Sequence, residues 1–246
     1  MSNDVTNIYW APIFESDPNS LKINWGILYP DPINLYDTLR PEMANTEPSK
    51  NMFYCPAFKG LTSNTFVFRN PMDADFYLDD SNRITTKNKN NVTIKIAHEP
   101  SIKNSILLEY VLKWIFFAED SEIEVIVTSP YFDTPNHLQY GNIVPGRFSI
   151  SNWFRSVNAE FNLKPGVRQL KIEKDEPILY ITFNTNKKIN LIRFDMNESL
   201  NASTKACAKS SDWESWVPLA ARYKRFKESR MKDSILREIK KNIVGT

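Results

Sequence analysis

Two histidines, His98 and His137, are the only imidazoles in the 246-residue chain. Metal chemistry of the two-histidine, one-carboxylate kind would have to use both, with open positions left for substrate. His98 closes a strand-like run next to Glu99, and His137 lies four residues after Asp133. A site made from His98, His137 and Asp133 would hold Fe(II) or another divalent metal, as in an oxygenase dependent on 2-oxoglutarate or a cupin-like enzyme. The close His-x-Asp or His-x-His spacing that delivers such ligands from one strand is missing, and isolated histidines are more commonly core or surface residues.

Nucleophilic and phosphate chemistry find less support. The chain has no Gly-x-Ser-x-Gly, and neither Cys55 nor Cys207 has a histidine near it in sequence, which reads as two inert thiols in a reducing compartment. Gly141 and Gly146 have the spacing of a phosphate loop, but Arg147 and Phe148 stand where Lys and Ser or Thr belong, and Pro145 removes an N–H. Asp73, Asp75, Asp79 and Asp80 lack the central glycine and final glutamate of a calcium loop. No cofactor is expected, and a divalent metal enters only with the His98, His137 and Asp133 alternative.

Recognition chemistry is better represented. Tyr140, Arg147, Trp153 and Arg155 mix aromatics with arginines as binding hot spots do, although Trp153 and its neighbour Phe154 also suit a core. Residues 222–241 carry nine Lys or Arg against three Asp or Glu, a local charge of +6 that leaves −4 on the rest of a chain whose total is +2. Lys224, Arg225 and Lys227 lead this run. A surface of that kind neutralises phosphates or an acidic protein, unless it is only the solvated face of a packed helix.

The elements that must position these residues read as mainly β, an antiparallel β-sandwich or jelly roll of cupin-like kind with a C-terminal amphipathic α-helix. Residues 1–200 form the β-rich domain, opening on a segment rich in proline and aromatics that predicts short edge strands and ordered loops. Residues 212–244 form the basic helix packed on it, giving one domain. Strands are predicted at Thr65–Arg69 and Val92–Ile96 with a long loop or hairpin tip between, and at Phe148–Phe154, Val167–Ile172, Ile178–Phe183 and Ile189–Phe194. Ile106–Ala118 is nearly unbroken apolar sequence. Its aromatics and the following Glu119-Asp120-Ser121 turn predict a long hairpin with Glu122–Thr128 in preference to a buried helix. Leu35, Leu39 and Met43 permit one or two helical turns before Pro41 interferes. Residues 197–211 read as a linker. Leu219, Tyr223, Phe226, Ile235, Ile239 and Ile243 line one side of the terminal helix. No signal peptide or stretch of eighteen apolar residues is visible, so a cytoplasmic protein with no membrane contact is expected.

One stretch carries a resemblance. Pro130–Arg155, PYFDTPNHLQYGNIVPGRFSISNWFR, is similar to a group of uncharacterised proteins of tailed bacteriophages, including marine cyanophages. Supporting pieces are Phe116-Phe117-Ala118-Glu119 before Glu124-Val125, Val144-Pro145-Gly146-Arg147-Phe148, Glu176-Pro177-Ile178-Leu179-Tyr180, Ile8–Pro12 and Tyr29–Pro32, so the likeness spans most of residues 1–195. It implies a phage origin and adds no catalytic residue. Together the readings point to a phage accessory protein in the host cytoplasm, a non-enzymatic binder of a host or phage macromolecule. The alternatives are a jelly-roll metal enzyme and a virion structural component.

Overall fold

The computed structural model describes residues 4–13, 29–43, 47, 54–81, 83–86, 93–96, 106–213 and 216–245. Most of the proline- and aromatic-rich opening, the stretch 87–92 and His98 with its surroundings lie outside the described residues.

The protein is mainly β. In chain order the strands are β1 (Val5–Pro12), β2 (Ile33–Asn34), β3 (Thr65–Arg69), β4 (Ala74–Leu78), β5 (Ile84–Thr86), β6 (Thr93–Ile96), β7 (Ile106–Val111), β8 (Trp114–Ala118) and β9 (Glu124–Thr128). They continue with β10 (Gly141–Ile143), β11 (Gly146–Ser149), β12 (Ala159–Leu163), β13 (Gln169–Ile172), β14 (Pro177–Phe183) and β15 (Lys188–Arg193). The helices are α1 (Leu35–Met43), α2 (Pro56–Thr62), α3 (Glu198–Trp213), α4 (Leu219–Glu228) and α5 (Met231–Lys241). Four sheets result, with orders β15-β1-β8, β10-β12-β7-β6, β11-β9-β14-β3-β2 and β13-β4-β5. Every pairing in them is antiparallel except β1 with β15, which is parallel.

The ambiguous run from Ile106 is extended, as predicted, but it is not one arm of a hairpin. It breaks at Leu112–Lys113 and serves two sheets: β7 pairs with β12 and β6, and β8 pairs with β1. Past the Glu119–Ile123 turn, β9 joins β11 and β14 instead of returning along β8. Strand alternation explains why no polar residue interrupts 114–118. Trp114, Phe116 and Ala118 face the main core, while Ile115 and Phe117 face a second core shared with the C-terminal helices. β1 divides in the same way, with Ile8 and Trp10 on one side and Tyr9 and Ala11 on the other. It is therefore a middle strand and not the short edge strand expected.

The main core is knit by edge-to-face aromatics running Tyr29, Trp114, Phe68, Phe116, Phe183 and Phe66, with ring centroids 4.7, 5.0, 5.4, 5.8 and 5.6 Å apart. That geometry sets the positive edge of one ring against the negative face of the next. Leu35 of α1 covers the opposite face of β3 and β14 by packing on Val67 and Tyr180.

Several expectations are sharpened or corrected. The polar stretch between β3 and β6, expected as a long loop or a hairpin tip, takes the hairpin form, with β4 and β5 paired antiparallel. Residues 197–211 are no linker: Asn197 caps α3, its Oδ1 accepting the Leu200 N–H at 2.9 Å, and Leu200, Asn201, Thr204 and Cys207 bury one side of the helix. The single terminal helix is two helices, α4 and α5, separated at Arg230, whose φ is 57°. The nine-residue gap between Phe226 and Ile235 marks that break, and both side chains return to the second core. Gly141 admits β10 close to β12, since a Cβ there would stand 2.5 Å from the Asn162 carbonyl oxygen. Among the described residues no helix is long and apolar enough to cross a membrane.

Candidate functional site

His137 lies in a 3-10 turn, Asn136–Gln139, and is wholly buried. Its ring meets Phe161 edge-on at 5.6 Å, and its Nδ1 stands 3.2 Å from Glu176 Oε1 without hydrogen-bond alignment. The same oxygen accepts the His137 backbone N–H at 2.9 Å, and the other carboxylate oxygen accepts the Glu173 N–H at 2.8 Å. Glu176 is thus a brace for this corner. Burial pushes the His137 pKa below its ordinary value, against the pull of Glu176 toward the charged form. Asp133 is engaged elsewhere: its Oδ2 accepts the Tyr180 hydroxyl at 2.6 Å, and burial with this carboxylate pushes that phenol upward. Each of the two candidate ligands that can be placed thus has its own structural partner, and His98 lies outside the described residues. Among the described residues no three His, Cys, Asp or Glu side chains gather as metal ligands.

Cys207 faces the second core, where burial raises its pKa, and Cys55 is exposed before α2. A thiol held protonated in this way is a poor nucleophile.

The recognition residues fare differently, because the structure draws three of them together. Arg147, Trp153 and Arg155 line an open groove of about 230 Å³. One wall is β11 with Ile150, another is Ser156–Asn158 with Glu160 of β12, and Leu219 and Tyr223 of α4 close one end. Glu109 of β7 also faces it. Tyr140 stays outside, ending the 3-10 turn and packing on the main core. The floor and rim are apolar at Val127, Val144, Phe148, Val157 and Leu219, the last exposed.

The charges around this floor are unequally compensated. Arg147 is held by Glu124, its Nε donating to Oε2 at 2.7 Å while a terminal nitrogen contacts the same oxygen. Glu109 and Glu160 stand directly opposite each other across the β7–β12 pair, an arrangement that is destabilising for like charges. Asn158 donates to Glu109, and Ser156 Oγ is 3.0 Å from Asn158 Oδ1. Tyr223 reaches from α4 to accept the Ser149 N–H at 3.1 Å, tying the helix to the edge of β11. Trp153, whose Nε1 is buried without a partner, separates this groove from a hollow of about 200 Å³ formed with Cys207, Arg222, Arg225, Phe226 and Met231.

The basic helices spend part of their charge on the body. Lys240 Nζ is 2.9 Å from Glu119 Oε1, and Lys232 Nζ donates to the Asp120 carbonyl at 3.4 Å. The Asp120 carboxylate is held low in pKa by the Thr6 hydroxyl and by Lys187, 3.0 Å away. Lys224 pairs loosely with Glu228 at 3.9 Å and Lys241 with Glu238 at 3.1 Å. Of the three leading cations, Arg225 borders the hollow, and Lys224 and Lys227 are exposed on α4.

Glu109, Asn158 and Glu160 escaped the sequence reading, which placed Leu219 and Tyr223 only on the packed side of the terminal helix. A lone Glu109 inside an apolar run and the alternation Ala159-Glu160-Phe161-Asn162-Leu163 were visible signals of solvent-facing positions. Comparison with known proteins finds no matching family model, no matching curated protein and no matching solved structure.

Proposed function

We propose that the chain is a non-enzymatic binding protein, a phage accessory factor that engages a host or phage macromolecule in the host cytoplasm. The observation that carries this reading is the groove that assembles two arginines, Arg147 and Arg155, with the aromatic Trp153 against the first turns of α4. An apolar floor with a charged rim is the composition of a recognition surface. Among the described residues, the one histidine, His137, and the thiol of Cys207 are both taken into packing. The layered antiparallel sheets fit a jelly-roll sandwich, a scaffold that leaves its edges and connecting loops for contacts.

The test is affinity capture from host and infected-cell lysates with the intact chain, run beside its Leu219→Glu variant. A partner held by the parent chain and lost from the variant supports the reading. Equal recovery on both, or turnover of a small molecule by the purified chain without any captured partner, overturns it.

A further inference from the structure

Resting on that reading, we infer that the occupant of the groove is an extended peptide that adds as a strand to the free edge of β11, with a basic side chain placed beside Glu109 and Glu160. Among the described residues β11 is an end strand of its five-stranded sheet, bonded on one side to β9 and with no strand on the other. In an antiparallel ladder, alternate residues turn their N–H and C=O toward opposite edges. Ile150 donates its N–H to Ile123 on the β9 side, and Ser149 donates to Tyr223 on the groove side. Arg147, two residues from Ser149, therefore turns its N–H and C=O toward the groove as well. A chain laid along this edge finds one donor and two acceptors, the carbonyls of Arg147 and Ser149, in the spacing a strand requires. Tyr223 already meets the fourth group, and so marks where the added strand ends.

Side chains of such a strand alternate. Those pointing into the protein meet Val127, Val144, Phe148, Val157 and Leu219, which favours an apolar residue. The charge pattern sets the rest. Arg147 is neutralised by Glu124, whereas Glu160 keeps a like-charge neighbour in Glu109, which accepts from the Asn158 amide and stands in register with Lys95 of β6 on its other side. A lysine or arginine of the peptide relieves that repulsion. A nucleic acid backbone would bring phosphates against Glu109 and Glu160, with Arg147 already paired to Glu124 and Arg155 the one further cation of the lining, and is disfavoured.

A displayed library of random linear peptides, selected on the full chain, tests this. Enrichment of sequences with apolar residues at alternate positions and one Lys or Arg is expected. In titrations, N-methylation of every second amide of an enriched peptide should weaken binding at least tenfold, and methylation of the intervening amides should leave it unchanged. Glu160→Gln should weaken the same peptide about tenfold while its melting temperature holds or rises, a combination that misfolding cannot produce. Methylation effects without a period of two, equal enrichment on Leu219→Glu, or no enrichment overturn the inference. If capture yields a groove-dependent nucleic acid or folded partner while no linear peptide is enriched, the edge-strand inference falls and the binding reading stands. If neither binds, both fall.

Discussion

Strands β8 and β11 are of similar length, and the chain uses them in opposite ways. All five residues of β8 are buried and its two faces feed two cores; it too ends a sheet, but one edge is filled by β1 and the other is bonded by Ile150, Ser156 and Val157 of the following segment. β11 presents one edge to β9 and the other to a groove, with Arg147 exposed and only Ser149 fully buried. A strand saturated on every side contributes stability and has nothing left to offer a partner. A strand with one open edge contributes less to the fold and keeps hydrogen-bonding groups in reserve.

The sharpest way to break this contrast is Phe117→Ala. Phe117 packs edge-on against Phe154 and Phe226 at 5.1 and 6.2 Å, so truncation opens a cavity between β8 and the helices. A loss of about 4 kcal/mol is expected in urea unfolding, and a loss under 1 kcal/mol would show that the second core is loosely made. Leu219→Glu probes the other side of the contrast. Its stability should change by less than about 0.5 kcal/mol, while affinity for a groove partner should fall about tenfold, or about 1.4 kcal/mol, by calorimetric titration. Tyr180→Phe removes the bond to Asp133 and should cost about 1 kcal/mol in the same unfolding assay.

His137 gives the contrast a pH dependence. Its folded pKa lies below the ordinary value near 6.5 because burial disfavours the charged ring. The unfolded chain therefore takes up a proton first as pH falls, so this stability is complete above that ordinary value and is lost as pH drops toward the folded one. His137→Phe should flatten the loss in unfolding curves collected between neutral and mildly acid pH, and an unchanged slope would assign it to other groups. The smallest effect belongs to Glu160→Gln, which should raise stability by about 0.3 kcal/mol by removing a like-charge neighbour.

Much of the β architecture was legible because apolar alternation survives wherever a strand buries one face. The runs that became β13 and β15 follow that rule, whereas Thr65–Arg69 and β14 bury both faces and were marked by their β-branched and aromatic residues and the turn signals beside them. β1 and β8 bury both faces, so their alternation vanishes from the sequence, and pairing partners could not be read from it at all. α3 was hidden for the reverse reason, since its buried side is built largely from Asn201, Thr204 and Cys207. Within the site, Arg147, Trp153 and Arg155 stood out by residue type. Glu160 and Tyr223 did not, because their meaning depends on which strand lies opposite and which helix folds back, and both are long-range events.

The parallel pairing of β1 with β15 governs how the protein comes into being. Asn7 and Asn190 bond side chain to side chain across 183 residues of sequence. During synthesis β1 is made before both of its sheet neighbours, β8 and then β15. An apolar strand is therefore left waiting through most of translation, a condition that invites chaperone capture and slows folding. Nascent chains halted before residue 188 should leave β1 open to protease, and chains carried past residue 193 should protect it. Among the described strands, β1 is thus made first and enclosed only once β15 has followed it.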